Sequence, residues 1–196
     1  AGASPPLTGP CARSTSPPIS RTSSTRLLQR ACRLVLGSSG RAELLPLIFK
    51  VLSEFPVTVV AATAGKVALK SVPPNVSIAD FLPIDVASAR SAFIISNGGS
   101  LTTYQALTAG VPVLGICSNM DQLLNMNSVQ ALGAGISLRA GRATLSEMRA
   151  AVKALLENPV YKDAAGRLGQ AVLQHDGGQR FREIVAEILK PSNSTT

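Results

Sequence analysis

The residues best suited to chemistry form a glycine turn, Asn97-Gly98-Gly99-Ser100, set between an apolar run and a segment of helical spacing. Phe93-Ile94-Ile95, just before it, has the composition of a buried parallel strand. A helix should follow, running to about Ala109 and stopped by Gly110, with Ser100 or Thr102 as its cap. The first turn of such a helix offers unpaired N–H groups and a partial positive charge. Two glycines ahead of it let a bulky anion approach the backbone, so a phosphate or diphosphate is the natural guest. The same pair also serves α/β proteins as a plain tight turn. The dinucleotide pattern GxGxxG is not met, because Leu101 stands where a second spaced glycine would fall.

Other chemistries find little material. His175 is the only histidine and sits beside Asp176-Gly177-Gly178, the setting of a surface residue near a helix end. Cys11, Cys32 and Cys117 are widely spaced, with neither CxxC nor Cys/His ligand spacing, so zinc and a disulfide framework are not indicated. Cys117 ends an apolar run and reads as a small core hydrophobe. No Asp-x-Asp occurs, and no metal is expected. A formal charge of +8 suggests nucleic acid until it is located. Residues 1–41 carry six arginines and no acid, whereas the rest has 13 basic and 11 acidic residues. The charge belongs mostly to the N-terminal arm, and aromatics are only 4% of the chain, so no nucleic-acid partner is expected. The apolar runs are broken well short of a membrane span. No membrane association is expected, and a reducing cytoplasm is the default.

The elements that must position the glycine turn come from the surrounding pattern. Residues 1–31 are Ser/Thr/Pro/Arg-rich without periodicity and read as a disordered or poorly packed arm. Its composition resembles an organelle transit segment, and a linker explains it equally well. The ordered domain is expected over 32–190, with a flexible tail at 191–196. Leu34-Val35-Leu36, Val57–Ala62, Asn75–Ile78, Phe93–Ile95, Val111–Cys117 and Ala134–Leu138 read as strands. Between and after them lie helices: Leu44–Phe55, with Pro46 in its first turn; a short one capped by Asp85; the one after the glycine turn; Asp121–Ala131; one started by the capping box Thr144-Leu145-Ser146-Glu147; Tyr161–Leu173; and Phe181–Leu189. Strands alternating with helices and joined by no tight hairpin mean βαβ units. The fold class is therefore α/β, a Rossmann-like parallel sheet with helices on both faces. Ligands of such sheets sit at the carboxyl ends of the strands. The Gly37–Gly40 turn, the Phe81-Leu82-Pro83 loop, the Asn97–Ser100 turn and the Ser118–Gln122 loop all fall there.

Taken in order, these loops resemble the C-terminal, donor-binding half of a GT-B glycosyltransferase. The resemblance is to the UDP-glycosyltransferase family with its macrolide and antibiotic members, and it runs from about Leu34 to Leu189. The family pattern has LGS, then W-x-P-Q, then HGG-x-x-T-x-x-E-A-L-x-x-G-V-P, then D-Q-x-x-N. Here it reads Leu36-Gly37-Ser38, Phe81-Leu82-Pro83-Ile84, Asn97-Gly98-Gly99 through Gly110-Val111-Pro112, and Asp121-Gln122-Leu123-Leu124-Asn125. The resemblance implies that Phe81 stacks on the nucleobase. It implies that Gly98, Gly99, Ser100 and Thr102 hold the diphosphate, with Ser38 reaching a phosphate. Gln105 would bind ribose hydroxyls, and Asp121 and Gln122 the donor sugar. The sequence departs from the pattern at Asn97 (for histidine), Ile84 (for glutamine) and Gln105 (for glutamate), which leaves UDP and dTDP both open.

The implied function is the nucleotide-sugar-binding part of an inverting transferase that moves a hexose to an acceptor hydroxyl. The donor would be a substrate, with no further cofactor. In the family an acceptor-binding half supplies the catalytic histidine and its aspartate partner. No catalytic residue is assigned in this chain, and an acceptor-binding domain or partner chain is expected to complete it. Two other readings stay open: a split N-acetylglucosaminyltransferase subunit that needs a partner chain, favoured by an exposed apolar patch, and a non-catalytic nucleotide-binding module.

Overall fold

The computed structural model describes residues 30–36, 40–63, 71–82, 88 and 90–189. Its frame is one sheet of six strands: β1 (Arg30–Val35), β2 (Val57–Ala62), β3 (Val76–Ala79), β4 (Phe93–Ser96), β5 (Val113–Cys117) and β6 (Gly135–Arg139). They lie in the order β3-β2-β1-β4-β5-β6, every neighbouring pair parallel. This is the doubly wound order. Its winding reverses between β1 and β4, the crevice in which such sheets bind ligands.

Period-two alternation splits each uniformly apolar strand between two cores. Phe93, Ile95, Leu114 and Ile116 face one core, together with Cys32 and Leu34 of β1. Ile94, Val113 and Cys117 face the other. Helices α1 (Leu45–Leu52) and α4 (Leu145–Glu157) cover the first face through residues such as Ile48, Leu52, Met148 and Val152. Helices α2 (Ser100–Thr108), α3 (Met120–Ala131) and α5 (Pro159–Leu173) cover the second through Ala106, Leu107, Met126, Val129 and Ala165. The expected fold class is thus observed. The capping box also forms: Thr144 Oγ1 accepts from the Glu147 N–H at 3.2 Å, and Glu147 Oε2 accepts from the Thr144 N–H at 2.9 Å.

Several local expectations are corrected. Strand β1 begins at Arg30, inside the segment assigned to the arm, because its ladder with β2 extends back to Arg30 opposite Val57. Neither Ser100 nor Thr102 caps α2; the N-cap is Gly99, with no side-chain cap bond. Helix α3 begins at Met120, one residue before the expected Asp121, because Asn119 caps it, its side chain accepting from the Gln122 N–H at 3.0 Å. A final helix, α6 (Gly177–Ile188), starts four residues earlier than its apolar periodicity suggests, because Asp176 caps it and the two glycines form its first turn. The segments 1–29 and 190–196, Ser38, and the Ile84–Asp85 region lie outside the described residues. Among the described residues no helix is long and apolar enough to cross a membrane.

Candidate functional site

The turn after β4 is built so that its own polar groups are engaged while the helix start is left open. Ser96 and Asn97 are buried, at 0% and 6% exposure. Ser96 Oγ accepts from the Gly98 N–H at 3.0 Å, and Asn97 Oδ1 accepts from the Gly99 N–H at 3.1 Å. The Gly99 carbonyl accepts from the Thr103 N–H at 3.1 Å and begins the helical ladder. Ser100, Leu101 and Thr102 are then the first three helical residues, whose N–H groups have no intrahelical acceptor. Leu101 is 70% exposed and Ser100 is exposed, so this end of α2 opens outward.

Gly98 is required at its position. Its φ of 81° is left-handed. A Cβ there would also come within 2.7 Å of Met126 Cγ and 2.9 Å of Cys117 Sγ. Met126 of α3, fully buried, therefore packs directly against the turn. Asn125, its neighbour, donates from Nδ2 to the Gly98 carbonyl at 2.8 Å. Helix α3 and the glycine turn are in this way joined by the packing of Met126 and by the Asn125 hydrogen bond.

The same helix closes the second loop. Gln122 is 2% exposed, and its Oε1 accepts from the Ser118 N–H at 2.8 Å, which folds the loop after β5 back on α3. Asp121 next to it is exposed. The site residues read from the sequence thus separate by environment. Ser100, Asp121 and Phe81 (81% exposed) face solvent at strand ends, and Thr102 and Gln105 are half-buried on α2. Asn97 and Gln122 are buried, with side-chain oxygens committed to backbone N–H groups of their own loops. Phe81 follows β3, at the far side of β2 and β1 from α2. With strands about 4.8 Å apart, three spacings put roughly 14 Å between the two strand ends.

Electrostatics around the turn are mild. The Cys117 thiol is pushed up by burial, an effect partly offset by its hydrogen bond with Ser137. A cavity of about 360 Å³ opens beside the Ser118–Met120 loop, with Arg139 and Arg142 in its wall. A larger one, about 550 Å³, lies at the opposite, N-terminal edge of the sheet beside Ala31, Ser91 and Lys162. It is remote from every loop described above, and burial there pulls the Lys162 ammonium below its ordinary range. His175 is exposed on the chain between α5 and α6, its Nδ1 2.8 Å from the Ala171 carbonyl.

Residues 45–188 match the family described as erythromycin biosynthesis protein CIII-like, C-terminal domain. The chain belongs to that family. It is 51% identical over 136 residues to a PGL/p-HBAD biosynthesis rhamnosyltransferase of Mycobacterium bovis (strain BCG / Pasteur 1173P2), covering 69% of this chain and 30% of the relative. It therefore spans about a third of the length of the curated relatives it matches. In fold it is similar to the glycosyltransferase of kitacinnamycin, with a TM-score of 0.73 at 21% identity over 83% of this chain and 44% of that one. The glycosyltransferase VinC in complex with dTDP superposes with a TM-score of 0.65 at 25% identity, covering 73% and 37% of the two chains. The erythromycin CIII-like family thus matches the expected resemblance to antibiotic-type glycosyltransferases, and the fold is that of a GT-B C-terminal half. Sequence reasoning assigned no role to Asn125 or Met126 in it. The signal was present in part: Asn125 ends the quoted D-Q-x-x-N run and lies one helical turn after Asp121.

Proposed function

We propose that this chain is the sugar-donor half of an inverting hexosyltransferase and holds a nucleoside diphosphate sugar across the crevice between β1 and β4. The observation that carries the reading is the start of α2: three consecutive backbone N–H groups with no side-chain cap, fronted by two glycines, at the carboxyl edge of the sheet. An anion is stabilised there by both the N–H groups and the helix dipole. In this reading the diphosphate lies on Ser100, Leu101 and Thr102, with the Thr102 hydroxyl beside it. Phe81 receives the base, a distance that a nucleoside bridges and a phosphate does not. Gln105 takes the ribose, Ser38 a phosphate oxygen, and Asp121 a sugar hydroxyl. Gln122 then shapes the sugar loop from within.

During transfer the diphosphate leaves with developing negative charge, and fixed N–H dipoles stabilise it without reorganisation. No metal is part of the proposal. The dTDP bound to VinC supports dTDP as the nucleotide, with UDP as competitor, and a rhamnosyltransferase at 51% identity supports rhamnose as the sugar. The acceptor and the base that deprotonates it belong, in this proposal, to an acceptor-binding body. Exposed Phe181, Ile184 and Ile188, at i, i+3 and i+7 on α6, support its docking there. Calorimetric titration with dTDP, UDP and their rhamnose and glucose conjugates tests the reading. Saturable binding of at least one diphosphate, much tighter than its nucleoside, is expected. Absence of heat with all of them at millimolar concentration would end it.

A further inference from the structure

Resting on that reading, we infer that Asn125 is a positioning residue. It clamps the Gly98–Gly99 peptide and so fixes the diphosphate amides relative to the sugar loop. The peptide joins two residues without side chains, the least restrained link a chain can have. The structure holds it from both sides. On one side the Gly99 N–H donates to Asn97 Oδ1 at 3.1 Å, a local bond across two residues. On the other, the Gly98 carbonyl accepts from Asn125 Nδ2 at 2.8 Å, across 27 residues. The local bond moves with the turn. Asn125 ties the plane to another element.

That element matters. Gly99 is the N-cap of α2, so the plane ahead of it sets where the Ser100, Leu101 and Thr102 amides stand. Asn125 lies on α3, whose first turn carries Asp121 and Gln122. One amide thus fixes the phosphate-binding amides and the sugar-facing loop in a single frame. The chemistry needs a neutral donor at this position. An aspartate would set an ionised acceptor against the Gly98 carbonyl, and an alanine would leave that carbonyl unpaired. Met126 holds the turn by packing but cannot fix the rotation of a peptide plane.

The test uses the full chain and compares thymidine with dTDP, and uridine with UDP, by calorimetry. The ratio of the two dissociation constants measures what the diphosphate adds. Asn125→Ala and the isosteric Asn125→Asp should each cut that ratio about tenfold, with nucleoside affinity unchanged. Asn127→Asp, at an exposed position two residues on, controls for added charge and should keep the wild-type ratio. Should Asn125→Ala fail to fold, the isosteric Asn125→Asp decides. Folded variants that melt earlier yet keep the full ratio would show a purely structural staple and overturn the inference. A wild-type chain that binds neither diphosphate overturns the donor reading itself, and the inference with it.

Discussion

Gly98 and Gly99 look equivalent in sequence, and the structure predicts that alanine at the two positions behaves very differently. At Gly98 a side chain meets two penalties. The left-handed φ of 81° costs an L-residue about 1–2 kcal/mol. The added Cβ would lie 2.7 Å from Met126 Cγ, 2.9 Å from Cys117 Sγ and 3.3 Å from the Gln122 carbonyl oxygen, and overpacking of this kind costs about 1–3 kcal/mol. The sum for Gly98→Ala is about 2–5 kcal/mol. At Gly99 the φ is −64° and the nearest atom is Asn97 Oδ1 at 3.2 Å, the end of a side chain. Gly99→Ala replaces one N-cap residue by a poorer one and should cost about 1 kcal/mol. Urea denaturation followed by far-ultraviolet circular dichroism reads the difference directly. With a melting shift of about 2–4 °C per kcal/mol for a domain of this size, Gly98→Ala should melt roughly 4–20 °C lower. The clash with Met126 gives an internal check. Met126→Ala should be less costly in the Gly98→Ala background than in the wild type, since the atom in the way is already gone. Equal destabilisation by the two glycine substitutions, or strict additivity with Met126→Ala, would refute the packing argument.

Other outcomes follow from the same structure. Phe81→Ala should leave stability unchanged, because the ring is 81% exposed, while weakening nucleotide binding by about 1–3 kcal/mol in calorimetry if the ring stacks on a base. Thr144→Ala should destabilise the chain by about 1 kcal/mol in urea titration, through loss of the α4 cap. Hydrogen bonds from the Thr144 backbone and hydroxyl hold the Glu147 carboxyl below the usual carboxylate range. A depressed folded pKa means that this stabilisation is present above the unfolded value and is lost as pH falls through the folded one. Wild type and Glu147→Gln should therefore differ at neutral pH and converge in acid. Burial pushes the Cys32 thiol far up, so in the folded state it should resist maleimide at pH 8, and mass-mapped labelling should follow global unfolding.

How far the site was legible depended on whether its physics was local. Thr144 and Glu147 stand three apart, and a capping box needs nothing else. Phe93–Ser96 is apolar throughout, which marks a strand buried on both faces wherever it lies in a sheet. The cap of α2 was misread for a physical reason. Ser100 has the right side chain, yet Asn97 and Ser96, upstream, already take the turn's N–H groups and shift the N-cap to Gly99. Asn119 likewise starts α3 one residue ahead of Asp121. More than one nearby residue can open a helix, and the backbone torsion that chooses between them is set by where the preceding strand ends.

The α/β alternation, the glycine turn and the family resemblance are legible along the chain, because each is written in spacing and residue type. Burial and hydrogen-bond partners of the same residues appear only once the chain is folded. Gln122, read as a sugar contact, is buried with its side-chain oxygen on the Ser118 N–H; Phe81, read as a base contact, stands in solvent; and Asn125 reaches across 27 residues to Gly98. Burial and long-range hydrogen bonds depend on how β4, β5 and α3 pack, and no local pattern of residues carries that information.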